Sequence, residues 1–160
     1  MNISYLLIGG NQQDRVARLA SARGFIASAG GKILQASALY ETAPWGKTDQ
    51  PDFLNQALRV ATEQDAPAWL LTLLDIEQKM GRRREEKYGP RIIDIDILFF
   101  NNSIIRLPRL TIPHPEIQNR RFALTPLEEI APDLIHPVLG LTIRELLAEC
   151  TDPLAVKKRS

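Results

Sequence analysis

The order of predicted elements over the first 100 residues, β-α-β-β-α-β, predicts an α+β fold with a ferredoxin-like core. The sheet is expected to be mainly antiparallel, with helices packed on it to give three αβα layers. Two further observations agree with this. The chain has 160 residues, enough for one domain over 1–160 but not for two. Hydrophobic residues make up 44% and charged residues 24%, a balance that supports a packed core rather than disorder.

Residues 3–8 (ISYLLI) read as the first strand and Gly9-Gly10-Asn11 as a turn. In 14–28, Val16, Leu19, Ala22, Phe25 and Ile26 recur at helical spacing, and Gly30-Gly31 stops the helix. Residues 32–41 (KILQASALYE) read as a second strand, 42–52 (TAPWGKTDQPD) as a loop of turn formers, and 53–62 (FLNQALRVAT) as a third strand. Asp65 caps a helix with Pro67 in its first turn, which ends near Met80 at Gly81. A charged loop over 82–91 (RRREEKYGPR) precedes the clearest strand, 92–100 (IIDIDILFF). A proline-bearing loop follows, then helices over about 120–130 and 142–150.

Nineteen acidic and twenty basic residues leave a net charge of +1, which argues against a partner bound through bulk positive charge, such as nucleic acid. The single cysteine, Cys150, excludes an internal disulfide and a multi-cysteine zinc site, and reads as a small apolar residue near the C-terminal helix. No run of about 18 apolar residues predicts a membrane span. The opening MNISYLLIGGNQQDR lacks the basic segment and apolar length of a signal peptide, so a cytoplasmic protein is expected.

Alternation along 92–100 places Ile93, Ile95, Ile97 and Phe99 on one face and Ile92, Asp94, Asp96, Leu98 and Phe100 on the other. Two carboxylates on one face of a strand lie roughly 7 Å apart. Their repulsion calls for a counter-charge, and oxygen-only ligands favour magnesium or calcium. The alternative is a solvated face, which the flanking Ile92, Leu98 and Phe100 disfavour. Residues 82–121 hold nine bases, eight of them arginine, and five acids, for a net +4, while the other 120 residues carry −3. Arginine suits bidentate contact with phosphate oxygens, so acids amid arginines suggest phosphoryl-transfer chemistry. A solvated charged loop is the competing account of Arg82–Lys87. No glycine-rich phosphate loop is present, so side chains and metal would have to hold any nucleotide.

Thr42 to Gly46, Phe53, Asn55 and Phe122 are candidates for holding a flat heterocycle, against ordinary packing. Glu77 falls on the stripe Leu70, Leu73, Glu77, Met80, either as a buried partner of the site or with its carboxylate turned outward. His114, between Pro113 and Pro115, is placed to touch a phosphate or carry a proton, or to do neither. His136, also beside a proline, is assigned nothing.

Lys87 to Leu98 (KYGPRIIDIDIL) resembles the signature of the 6-hydroxymethyl-7,8-dihydropterin pyrophosphokinase (HPPK) family of folate synthesis. The resemblance extends through LIGGN, YETAPWGKTDQPDFLNQA, the E-x-x-x-G-R of Glu77 to Arg82, and RLTIPHPEIQNRRFALTPLEEIAP. It implies a single magnesium-dependent catalytic domain that moves the pyrophosphoryl group of ATP to the hydroxymethyl group of the dihydropterin, releasing AMP. It further implies that Asp94 and Asp96 bind two Mg2+ ions. Thr42, Ala43, Trp45, Phe53, Asn55 and Phe122 would form the pterin site, the two phenylalanine rings sandwiching the ligand. Leu70, Ile97, Arg109, Leu110, Thr111, His114 and Arg120 would hold ATP, with Arg82, Arg84 and Arg91 catalytic. The implied partners are ATP and the pterin alone, with no nucleic acid or membrane, and the expected state is a monomer. The chain departs from common family choices at Gly10, Ala43, Phe53, Tyr88 and Pro115. Two other functions meet the same residues. One is a ferredoxin-like RNA-binding module, whose phosphate backbone Asp94 and Asp96 would repel. The other is a metal-dependent phosphohydrolase using the same carboxylates.

Overall fold

The computed structural model describes residues 1–44, 49–81 and 92–159. Among them the chain forms β1 (Asn2–Gly10), α1 (Arg15–Ser28), β2 (Gly31–Ala36), β3 (Tyr40–Thr42), β4 (Phe53–Thr62), α2 (Ala66–Lys79) and β5 (Asp94–Phe100). It continues through β6 (Ile105–Leu107), β7 (Leu110–Ile112), α3 (Arg121–Ile130), α4 (Ile143–Glu149) and β8 (Val156–Lys158). The main sheet runs β5-β1-β4-β3-β8, with β2 also on β4, and every pairing is antiparallel. The path β5-β1-β4-β2 is the ferredoxin-like order that the element pattern predicts.

Helix starts follow the capping rules. Asp14 accepts from Ala17 N, Asp65 from Ala68 N, and Thr142 forms a capping box with Glu145. Gly30 and Gly81, both at positive φ, follow α1 and α2 where a side chain would be strained. Leu19, Ala22 and Ile26 of α1 and Trp69, Leu73 and Ile76 of α2 pack on one face of the sheet with Leu6, Ile8, Ile95 and Ile97. Leu124 and Leu127 of α3 and Ile143 and Leu146 of α4 pack on the other face with Leu7, Ala57, Leu98 and Phe99. The three layers follow from these two apolar faces.

Four expectations are corrected. Gly9 and Gly10 are not a turn; they extend β1 and pair with Asn55 and Leu54. The strand expected over 32–41 is two strands, lying along opposite ends of β4. Ser37 makes the break: its Oγ accepts from Ala57 N, so a side chain replaces a ladder contact. The strand expected at 92–100 begins at Asp94. Within it the pairing jumps from Tyr5↔Phe99 to Leu6↔Ile97, leaving Leu98 as an extra residue. This bulge reverses the alternation, so Phe99 joins Leu98 on the α3 face and Phe100 joins the isoleucines. The β6–β7 hairpin and β8 were not expected at all; three-residue strands are too short to show a period.

Candidate functional site

β5 is the edge of the main sheet, and it carries both predicted carboxylates. Asp94 pairs with Gly9 and Asp96 with Leu7. Directly paired residues share a face. Leu7 packs in the α3 layer, so Asp94 and Asp96 face that layer while Ile95 and Ile97 face α2. Both aspartates are partly buried. The open side of β5 is covered by two side-element contacts. The backbone N–H of Ile95 donates to Glu77 Oε2 at 2.7 Å, and His114 N donates to the Leu98 carbonyl at 3.0 Å. Glu77 is only 4% exposed, which settles it as a buried partner rather than an outward one. Its carboxyl stands where a further strand would otherwise pair.

Beside this edge lies a cleft of about 830 Å³. Leu70, Leu74 and Glu77 of α2, Ile95, Asp96 and Ile97 of β5, and Arg109, Leu110, Thr111 and His114 line it. Six of the seven residues predicted for the nucleotide are therefore gathered on one cleft together with Asp96. Its size and mixed apolar and cationic walls suit a ligand of nucleotide dimensions. Arg120 is not among the lining residues; its guanidinium carbon lies 5.7 Å from the centroid of the Phe122 ring.

His114 is held by Glu116 N, which donates to its Nδ1 at 3.1 Å. An accepting Nδ1 leaves the ring proton on Nε2. Burial, reinforced by the nearby Arg120 charge and opposed by Glu116, lowers its pKa to about 4. The imidazole is neutral at pH 7, which favours a hydrogen-bond donor over a proton carrier. His136 is buried, and its Nδ1 accepts from Val138 N and Leu139 N, so it organises a turn. Cys150 is a free thiol packed against the α3 layer, as its reading as a small apolar residue anticipates.

Of the residues predicted for the heterocycle, Phe53 and Asn55 lie on β4, two strands inward from β5, and Thr42 lies on β3, three strands inward. Asn55 pairs with Gly9, and Thr42 with Phe53, placing Thr42, Phe53 and Asn55 on the same face as the aspartates. A Cβ on Gly9 would come within 2.1 Å of Asn55 Oδ1, so the carboxamide lies across the bare backbone of β1 toward β5. Sequence reading missed this role for Gly9; the available signal was a glycine at the end of an apolar strand. Thr42 Oγ1 is buried with no hydrogen-bond partner among the described residues. Such an orphan is unusual and fits a surface completed by a ligand. Ala43 is exposed, and Phe53 and Phe122 are partly buried. Asn11, 1% exposed, donates to Gln50 Oε1 and to the Pro51 carbonyl, fastening the segment just before β4 to the end of β1. Trp45 and the arginines Arg82, Arg84 and Arg91 lie outside the described residues.

The two carboxylates are an oxygen-only donor set on one face of one strand. Magnesium commonly takes one or two carboxylates and completes its shell with water and phosphate, so the donors present fit that ion. Among the described residues no group of three or more His, Cys, Asp or Glu forms a fuller cage.

Known proteins resemble this chain over most of its length. The family model described as 7,8-dihydro-6-hydroxymethylpterin-pyrophosphokinase (HPPK) matches residues 5–132. A 2-amino-4-hydroxy-6-hydroxymethyldihydropteridine pyrophosphokinase of Methylorubrum extorquens is 42% identical over 159 residues, covering 99% of each chain. The protein of the same name from Synechocystis is 41% identical over 143 residues, 88% of this chain and 70% of that one. The structure of wild-type Plasmodium falciparum HPPK-DHPS superposes with a TM-score of 0.74 at 23% identity, covering 93% of this chain. This chain spans 43% of that longer protein, and the likeness there is one of fold.

Proposed function

The chain belongs to the 7,8-dihydro-6-hydroxymethylpterin-pyrophosphokinase family, and from that premise we propose that it transfers the pyrophosphoryl group of ATP to the hydroxymethyl group of 6-hydroxymethyl-7,8-dihydropterin. The acceptor hydroxyl oxygen bonds to the β-phosphorus and loses its proton. The bond from that phosphorus to the α-phosphate oxygen breaks, and AMP leaves with the oxygen. The observation that carries this assignment is a cleft shared by Asp96 and six nucleotide-site residues, with Asn55 two strands away across β1.

In this mechanism Leu70, Ile97 and Leu110 flank the adenine, and Arg109, Thr111 and the neutral His114 contact polar parts of the nucleotide. Asn55 reads the pterin edge with its donor and acceptor, Thr42 offers its unpaired hydroxyl, and Phe53 and Phe122 stack on the ring. Ala43 and Trp45 complete that pocket. Arg120, Arg82, Arg84 and Arg91 offset phosphate charge, the last three on the strength of the sequence. Asp94 and Asp96 would hold two magnesium ions, which neutralise the polyphosphate and polarise the reacting phosphoryl group. We further propose that residues 1–160 act as one catalytic domain, as a cytoplasmic monomer without a nucleic-acid or membrane partner. Among the described residues, no helix is long and apolar enough to cross a membrane.

Incubation with ATP, magnesium and the dihydropterin, with AMP followed by chromatography, is expected to show AMP formation that depends on the pterin. Orthophosphate without AMP would identify a phosphohydrolase instead, and absence of pterin-dependent AMP overturns the assignment. A narrower prediction concerns Gly9. Gly9→Ala should keep the fold, because the clash is with a side-chain end, yet raise the KM for the pterin by about tenfold or more as Asn55 is displaced. An unchanged KM for the pterin would show that Asn55 is not held there for the ligand.

A further inference from the structure

α3 differs from α1, α2 and α4 in lacking a side-chain cap of its own. Arg120 occupies its N-cap position, and its side chain supplies no hydrogen bond there. The first N–H of the helix, that of Arg121, donates instead to Asp152 Oδ2 at 3.0 Å, from 31 residues away in the chain. Asp152 is 6% exposed, and its other oxygen accepts from Leu154 N at 3.0 Å. Arg121 reciprocates: Nε donates to the Asp152 carbonyl at 3.2 Å and Nη2 to the Cys150 carbonyl at 2.8 Å. A carboxylate at this end of a helix is also favoured by the helix dipole.

The same segment then crosses to the other side of the pterin residues. Val156 pairs with Thr42, Lys157 with Glu41 and Lys158 with Tyr40. Arg159 N donates to the Leu39 carbonyl at 2.8 Å, and its guanidinium meets Glu41 at 3.0 Å. A second tie links β3 to α3 directly: Tyr40 OH donates to Glu129 Oε1 at 2.5 Å, and burial with this bond raises the phenol pKa to about 12. These contacts join β3, which bears Thr42, to the first turn of α3, which bears Phe122. Residues 150–159 lie beyond the 5–132 that the family model matches.

We infer that the segment Cys150–Arg159 is a strap that fixes the spacing of the β3 and α3 walls of the pterin site, with Asp152 as its positioning residue. This rests on the proposed pterin site. Arg121 sits between Arg120 and Phe122, so the bond that anchors its backbone sets where both neighbours project. Without it the first turn of α3 loses its only side-chain cap among the described residues and frays. A frayed turn presents Phe122 in several positions and weakens the stacking partner of the ligand. The strap bonds neither Asp94 nor Asp96, so the effect should fall on binding, of the pterin through Phe122 and of ATP through Arg120, rather than on the chemical step.

The test compares Asp152→Ala, Asp152→Asn and Thr142→Ala, the last removing the cap of α4 remote from the proposed site. For Asp152→Ala we expect the KM for the pterin to rise about five- to tenfold with kcat within about twofold of the parent. Asp152→Asn keeps one accepting oxygen and should fall between the two. Thr142→Ala should lower the unfolding midpoint comparably while leaving the KM for the pterin unchanged. Hydrogen exchange adds a readout independent of turnover: Asp152→Ala should speed exchange in the peptides over 121–124 and 39–42 and not over 143–149. An unchanged KM for the pterin in an active Asp152→Ala protein overturns the inference, as does an equal rise in Thr142→Ala. If Asp152→Ala does not fold, Asp152→Asn carries both measurements. If the parent protein makes no pterin-dependent AMP, the functional assignment falls, and exchange at 121–124 still decides whether the strap holds α3.

Discussion

Asp96→Ala is expected to fold as the parent does and to lose pterin-dependent AMP formation by on the order of a thousandfold or more. Asp96 lies on the edge strand, partly buried, opposite Leu7 and in the wall of the nucleotide cleft. Truncation removes no core packing, so the thermal unfolding midpoint should change little. The loss arises because phosphoryl transfer offers little covalent work to the protein and depends on positioning and charge stabilisation. Turnover measured across a magnesium titration checks this. Parent-like turnover at any magnesium concentration would remove Asp96 from the site.

The next largest effect is expected at Glu77. Glu77→Ala leaves the Ile95 N–H without its acceptor, between the two aspartates of β5. An unsatisfied buried donor costs about 1–3 kcal/mol of stability. Because a displacement of β5 moves both carboxylates, turnover should also fall, by about ten- to a hundredfold. Glu77→Gln keeps an accepting oxygen and should recover most of the stability. Denaturant unfolding and turnover measured on the same preparations decide the matter. A Glu77→Ala protein that retains both would show that the strand edge needs no such cover.

The legible parts of this sequence were those with a period or a cap. Asp65 with Pro67, and the apolar positions of α1, predict their helices from local chemistry alone, and the structure places them there. The alternation from Ile93 to Ile97 correctly puts Asp94 and Asp96 together on one face. It fails two residues later, because the bulge at Leu98 depends on how β5 meets β1 and leaves no mark in the pattern of apolar residues. Ser37 is similar: a single hydroxyl bonded to the β4 backbone divides a segment that the sequence reads as one strand. Gly9 read as a turn because its function lies in what is missing from it, a methyl group that Asn55 would meet. The nucleotide residues came from a motif resemblance, and the structure adds that six of them share a cleft. Arg120 shows the converse: it stands apart from them at the start of α3, whose first N–H is met by Asp152, far along the chain.

The order of the sheet carries a consequence for how the protein is made. β2 meets β4 and β3 meets β4 across short stretches of sequence, whereas Gly9 waits for Asp94 and Thr42 waits for Val156. Ladders that close over long intervening segments form late, since chain entropy must be overcome before their contacts form. During synthesis, the strand bearing the carboxylates emerges only after β1, β4 and α2 have left the ribosome, and the β8 pairing waits for nearly the whole chain. The scaffold is thus assembled before the chemistry: a truncated or stalled product holds an apolar sheet with neither its acidic edge nor its closed outer strand. Such a product exposes the edge of β1, where another extended chain can pair.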